Sequence, residues 1–122
     1  MVRILAVDDE PDITASLKRG LERQGFEVDT YNDPTEAASK FRPNTYNLAL
    51  VDVGMPGMGG FDLFREIRKS DAMIKVCFLT AFEIQREGIA APAMPAAGLC
   101  VIKKPIGIRP LVEHIKRELS MS

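Results

Sequence analysis

The chain has 122 residues, of which 46% are hydrophobic and 27% charged, and its formal net charge is −1. That length suits one globular domain with its own core, so we expect residues 1–122 to form a single domain. The basic residues are scattered, which argues against a nucleic-acid-binding surface. No apolar stretch reaches the roughly 18–20 residues of a membrane span, and the N-terminus lacks a signal-peptide pattern. We therefore expect a cytoplasmic protein without membrane contact.

The first predicted strand, residues 2–7, is apolar and runs directly into three acids, Asp8, Asp9 and Glu10. Three carboxylates at one strand end repel one another, and in a closed site they require a cation. A helix is predicted from about 12 to 24, where apolar residues recur at helical spacing before Gly25. Residues 26–31 alternate apolar and polar, which is typical of a strand at a sheet edge.

The middle of the chain contains the most buried predicted strand. Asp33 and Pro34 indicate the start of a second helix over 34–42, because Asp caps helix N-termini and Pro fits the first helical position. Residues 48–51 then form a continuous apolar run that ends on Asp52 and is broken by Gly54 and Pro56. Ligands of open α/β sheets bind at this end of a strand, so Asp52 is a candidate functional residue. A solvated turn aspartate is the alternative interpretation.

The second half of the chain repeats this alternation. A helix carries Leu63, Phe64 and Ile67 inward, and a strand over 74–79 ends on Thr80. A last strand over 99–102 precedes Lys103 and Lys104, and a helix over about 107–119 closes the chain. Five strands alternating with helices predict a parallel, doubly wound α/β sheet.

Two cysteines, Cys77 and Cys100, lie in the last two apolar strands without metal-ligand spacing. We predict that they are buried free thiols, with a redox or metal-binding pair as the alternative.

Parallel strands place their carboxyl ends at one edge of the sheet. That edge would gather acids, a hydroxyl and a cation from four separate strands: Asp8, Asp9, Asp52, Thr80 and Lys104. Each has an ordinary alternative, as a turn acid, a helix-capping hydroxyl or a surface lysine. Their joint placement favours a functional site.

These residues carry a resemblance to a known family. The motifs are Asp8-Asp9-Glu10, the stretch 50–56 with Gly60 beyond it, Thr80-Ala81 and Lys104-Pro105. With them, essentially the whole chain resembles a receiver domain of two-component response regulators, in the CheY-like superfamily. The resemblance implies a flavodoxin-like sheet of order 2-1-3-4-5 flanked by helices.

The resemblance also implies roles for individual residues. Asp52 would accept a phosphoryl group from the phosphohistidine of a sensor kinase or a phosphotransfer protein. Mg²⁺ would be held by Asp9, Asp52 and the carbonyl of Gly54, with Asp8 assisting through water. Thr80 and Lys104 would contact the phosphoryl oxygens. Lys104 is preferred over its neighbour Lys103 because the family places its lysine directly before proline, and the Lys104–Pro105 bond is expected to be cis.

Two departures from the family bear on the output. Val101 stands where the family usually has an aromatic residue, and two prolines within 90–98 predict that the family's fourth helix is short or irregular. We expect a phosphorylation-dependent switch that acts on a downstream protein, on an output domain of a longer protein, or by forming a homodimer. The alternative is a protein-binding module that works without phosphorylation.

A third hypothesis is a phosphatase with an aspartyl nucleophile. Such an enzyme needs a second acid two residues after the nucleophile to protonate the leaving group, and Gly54 occupies that position. We therefore expect no enzyme activity beyond Mg²⁺-dependent self-phosphorylation and self-dephosphorylation.

Overall fold

The computed structural model describes residues 1–81 and 100–120. Its five strands form one parallel sheet in the order β2-β1-β3-β4-β5, which confirms the predicted fold class. The short or irregular helix expected within 88–98 lies outside the described residues. The elements in chain order are β1 (Arg3–Val7), α1 (Pro11–Arg23), β2 (Glu27–Tyr31), α2 (Pro34–Lys40), β3 (Leu48–Asp52), α3 (Gly60–Ser70), β4 (Lys75–Thr80), β5 (Cys100–Lys103) and α4 (Ile108–Glu118).

The sheet is covered by helices on both faces, as its sequence pattern predicts. Every residue of β3 is buried, because the apolar side chains on both faces of this strand are covered by a layer of helices on each side. One face packs against α1 and α4 through residues such as Leu21 and Leu111. The other face packs against α2 and α3 through residues such as Ala37 and Leu63. The alternating strand β2 lies at the edge of the sheet, as expected.

The helices begin and end close to the predicted residues. Gly25 follows α1 with φ at 93°, the left-handed conformation that glycine adopts without steric cost. At α2, the Asp33 carboxylate accepts the Thr35 N–H at 2.9 Å, and Pro34 is the first helical residue. Within the described ranges, none of the helices combines the length and apolarity that crossing a membrane would require.

The two cysteines correct one prediction. Cys77 and Cys100 are not free thiols; they form a disulfide. Strands β4 and β5 are neighbours, and their register sets the two residues directly opposite each other, with Cα atoms 4.6 Å apart. This separation lies within the range that a disulfide can span. The expected burial is correct, since Cys77 is fully buried and Cys100 is 7% exposed.

Asp71 connects the loop before β3 with the loop before β4, at the amino ends of these strands. This residue follows α3 and is 5% exposed, and its carboxylate accepts backbone N–H groups from Asn44 at 3.0 Å, Met73 at 3.0 Å and Ile74 at 3.1 Å. Burial alone would raise the pKa of this carboxyl. The three donors and the nearby Arg68 guanidinium outweigh burial, and the pKa is lowered.

We expect Asp71→Asn to destabilise the fold by about 2 kcal/mol at neutral pH, because buried hydrogen bonds to a charged acceptor are lost. A carboxyl whose folded-state pKa is lowered contributes stability above its ordinary value of 3.8 and loses it as the pH falls through the folded value. The difference between wild type and variant should therefore shrink below pH 3.8. Urea unfolding across this range measures it.

The matched control is Glu66→Gln, an exposed acid on α3 that pairs only with Lys69 among the described contacts, at 3.1 Å. Exposed pairs contribute little, so its effect should stay under about 1 kcal/mol. An Asp71→Asn penalty that is independent of pH would contradict the assignment.

Candidate functional site

The carboxyl ends of four strands bring the predicted site residues together at one edge of the sheet. Asp8 follows β1, Asp52 is the last residue of β3, Thr80 is the last residue of β4, and Lys104 follows β5. Asp9 is adjacent to Asp8 on the same turn. This convergence is the consequence of a parallel sheet, in which every strand ends on the same side.

Lys104 is the residue that joins the strand ends. Its Nζ donates to Asp8 Oδ2 at 2.8 Å and lies 3.3 Å from Asp52 Oδ1. Its backbone N–H donates to the Thr80 carbonyl at 2.7 Å, which continues the β4–β5 ladder into the site. The Lys104–Pro105 bond is cis, as expected. Lys103, the alternative lysine in the sequence, is exposed at the end of β5, whereas the Lys104 ammonium lies beside Asp8 and Asp52.

The site concentrates charge on buried side chains. Asp8 is fully buried and Asp52 is 6% exposed. Burial raises the pKa of Asp52 and the neighbouring Asp8 raises it further, while the Lys104 ammonium and the Gly54 backbone partly oppose the change. Burial would lower the pKa of Lys104, but the hydrogen bond and charge of Asp8, followed by Asp52, outweigh it and the pKa is raised. Lys104 is therefore held as a cation between two acids.

The acids after β1 form a cluster that suits a hard cation. Ligand oxygens of Asp8, Asp9 and Glu10 lie within 4.8 Å of one another. Asp8 is oriented within this cluster, since its Oδ1 accepts the Glu10 N–H at 3.0 Å while its Oδ2 faces Lys104. Carboxylate oxygens are the ligands that Mg²⁺ prefers, and the Asp8 and Asp9 carboxylates of this cluster are of that type.

Two residues that hold the acidic turn were not predicted from sequence. Asn32, immediately after β2, donates from Nδ2 to the Asp8 carbonyl and to Thr14 Oγ1, each at 2.8 Å. The Thr14 hydroxyl in turn donates to the Pro11 carbonyl at 3.1 Å. These contacts tie the turn that carries Asp8 to β2 and α1. The available signal was a polar residue at the end of β2, the fifth strand that ends on this edge.

Gly60 fixes how closely α3 approaches the central strand. A Cβ at this position would collide with the backbone of Asp52, principally its carbonyl oxygen. The Gly60 N–H donates to the Val53 carbonyl at 3.3 Å. The start of α3 is therefore packed directly against the residue that ends β3, which only glycine allows.

A doubly wound parallel sheet with Asp8, Asp52 and Lys104 meeting at its carboxyl edge is the arrangement expected of a response regulator receiver domain. Residues 4–116 match the model of the response regulator receiver domain, and the chain belongs to this family. The transcriptional regulatory protein PrrA of Mycobacterium tuberculosis is 33% identical over 114 residues, covering 93% of this chain and 48% of PrrA. The chain thus spans about half the length of the first curated relatives it matches.

Solved structures agree with this assignment. A CheY-like receiver domain protein from Methanospirillum hungatei is 31% identical and superposes with a TM-score of 0.85, covering 98% of this chain and 94% of that one. The response regulator TrrA of Thermotoga maritima, solved in complex with Mg²⁺-BeF, is 36% identical with a TM-score of 0.80, covering 97% and 99%. TrrA has also been solved in complex with the histidine kinase ThkA; that structure has a TM-score of 0.79 and covers 98% of this chain and 99% of TrrA.

Proposed function

We propose that this receiver domain is a phosphorylation switch in which Asp52 accepts a phosphoryl group from the phosphohistidine of a histidine kinase or a phosphotransfer protein. The observation that carries the proposal is the position of Lys104, whose ammonium lies 2.8 Å from Asp8 and 3.3 Å from Asp52. The structures of TrrA with Mg²⁺-BeF and with a histidine kinase support it by similarity.

The transfer exchanges one bond for another. A carboxylate oxygen of Asp52 attacks phosphorus, a P–O bond forms, and the P–N bond to the donor imidazole breaks. An anionic carboxylate approaches an anionic phosphoryl group with difficulty unless charge is neutralised. Lys104 supplies a cation at that point, and the Thr80 hydroxyl at the end of β4 is the neighbouring donor for a phosphoryl oxygen. Catalysis is then mostly positioning and electrostatics.

Mg²⁺ fits the acidic side of the site. Asp9, Asp52 and the carbonyl of Gly54 would hold the ion, with Asp8 acting through water, because these are oxygen ligands and Mg²⁺ keeps several waters. When bound, the ion supplies further positive charge to the transferring group. The side chain of Asp8 is oriented by hydrogen bonds from the Lys104 ammonium and the Glu10 N–H, so the turn that carries the acids is ordered before the ion binds.

A phosphoryl group on Asp52 would contact Thr80 and Lys104, and both residues would respond to its negative charge. Thr80 ends β4 and Lys104 follows the adjacent strand β5, and a backbone hydrogen bond joins the two residues, so a movement of one is passed to the other. The consequence is a changed contact with a downstream protein, an output domain or a second copy of the chain. We place this function in the cytoplasm, without nucleic-acid or membrane binding by this domain, and without catalysis beyond self-phosphorylation and self-dephosphorylation.

One observation favours a second candidate. Val101 lies in β5, opposite Phe78 of β4. The family usually carries an aromatic residue at the position of Val101. A receiver without that ring would serve as a protein-binding module whose contacts do not depend on phosphorylation.

The test is incubation with Mg²⁺ and a small acyl phosphate, followed by intact-mass measurement and size-exclusion chromatography. Wild type should gain one phosphoryl group, and Asp52→Asn should gain none because an amide is not a comparable nucleophile. Removing Mg²⁺ with a chelator should also prevent the gain. A mass gain on Asp52→Asn at the wild-type rate would refute the proposal. Phosphorylation of wild type without any change in size or in partner affinity would support the binding module instead.

A further inference from the structure

The Cys77–Cys100 disulfide joins the two strands that deliver Thr80 and Lys104 to the site. Cys77 lies within β4, which ends on Thr80, and Cys100 is the first residue of β5, which Lys104 follows. The cross-link and the phosphoryl site are thus at opposite ends of the same two-stranded ladder. The last hydrogen bond of that ladder runs from the Lys104 N–H to the Thr80 carbonyl at 2.7 Å.

In the described part of the chain, β5 is attached to the sheet along one side only. It has four residues, lies at the edge, and in the described part of the chain pairs with β4 alone. A short edge strand is an element that opens locally at a low free-energy cost. A covalent bond to β4 at its first residue removes most of that freedom, so the disulfide decides how firmly the lysine-bearing strand is held.

We propose that Cys77 and Cys100 are a reversible thiol–disulfide modification site that controls the fastening of β5 and, through it, the placement of Lys104 beside Asp52. The link to Lys104 chemistry, and the cytoplasmic setting, rest on the proposed function. Cytoplasmic disulfides are usually transient and redox-sensing, because the thiol pools of that compartment reduce them.

The chemistry is thiol–disulfide exchange with a low-molecular-weight disulfide of the glutathione type. One cysteine, as its thiolate, attacks the small disulfide and releases one small thiol; the second cysteine then attacks the mixed disulfide and releases another. Two electrons pass from the protein to the small disulfide, and the two cysteine protons end on the two released thiols. Cys77 is fully buried and Cys100 is 7% exposed, so local opening at Cys100 admits the small thiol or disulfide.

The first arm of the test follows amide hydrogen exchange by mass spectrometry, comparing oxidised protein with protein reduced by dithiothreitol. Amides at 101–104 should exchange about tenfold or more faster after reduction. Those of β2, the other edge strand, should not change. Alkylation under denaturing conditions counts the thiols: none in the oxidised protein, two in the reduced protein, and none again after treatment with oxidised glutathione.

A Cys77→Ala/Cys100→Ala variant supplies the matched control, since it should exchange like the reduced protein and ignore reductant. Equal exchange at 101–104 in both redox states would overturn the proposal. So would a pair that oxidised glutathione cannot restore in the folded protein.

The second arm measures phosphorylation by a small acyl phosphate with Mg²⁺. The oxidised protein should be phosphorylated about threefold or more faster than the reduced protein, because opening of β5 removes Lys104 from Asp52. Equal rates would overturn the link to the site. Absence of phosphorylation in both states would instead refute the proposed function, and the exchange arm would still decide whether β5 is fastened by the disulfide.

Discussion

Lys104→Gln should slow Mg²⁺-dependent phosphorylation of Asp52 by about 100-fold to 1000-fold, the usual cost of removing one preorganised donor from developing charge. Lys104 is the cation that touches both acids at the strand ends, at 2.8 Å and 3.3 Å. Glutamine keeps a polar side chain of similar length but cannot neutralise the phosphoryl oxygens. The initial rate of mass gain with a small acyl phosphate measures the effect.

The neighbouring lysine provides the control. Lys103→Gln removes the same charge from the adjacent residue, which is exposed at the end of β5, and its rate should stay within about twofold of wild type because exposed charges are strongly screened. Loss of Lys104 also leaves two buried acids without their cation, so circular dichroism and a thermal midpoint must accompany the rates. A Lys103 variant as slow as the Lys104 variant would show that the site lysine has been misassigned.

The sequence predicted most of the fold because local patterns and chain connectivity agree. Apolar runs of strand length, separated by helices, leave a parallel doubly wound sheet as the simple solution. The strand-end residues then had to meet: once the strands were parallel, Asp8, Asp52, Thr80 and Lys104 could only lie at one edge. The family resemblance added the strand order and chose Lys104 over Lys103.

What the sequence did not predict depends on register or on contacts between distant segments. The pairing of Cys77 with Cys100 follows from which residues of β4 and β5 lie opposite each other, and the apolar pattern of two buried strands does not fix that offset. Asp71 and Asn32 act by accepting from or donating to backbone groups of other loops. Such bonds have no periodicity, so the apolar pattern of the sequence marks neither residue.

The lack of space for a side chain at Gly60 also cannot be predicted from the sequence. It leads to the second large expected effect, a loss of stability on substitution. Gly60→Ala should destabilise the protein by about 3 kcal/mol, at the upper end of the cost of overpacking, because the obstacle is the backbone of Asp52 and Val53, which cannot rotate away as a side chain would. Alanine has the better helix propensity, by up to about 1 kcal/mol, so any gain at the start of α3 is smaller than the collision.

The position of the collision adds a functional consequence. Relief requires the start of α3 or the end of β3 to move, and a shift of Asp52 away from Lys104 should lower the phosphorylation rate about tenfold or more. Gly59→Ala is the matched control: the nearest atom to a Cβ there is the Val53 carbonyl oxygen at 3.7 Å, an ordinary contact. As the N-cap of α3, this position should lose less than about 1 kcal/mol and keep the wild-type rate. The free energy of unfolding in urea and the phosphorylation rate of both variants test this prediction. Equal losses at the two glycines would show that α3 does not constrain the central strand.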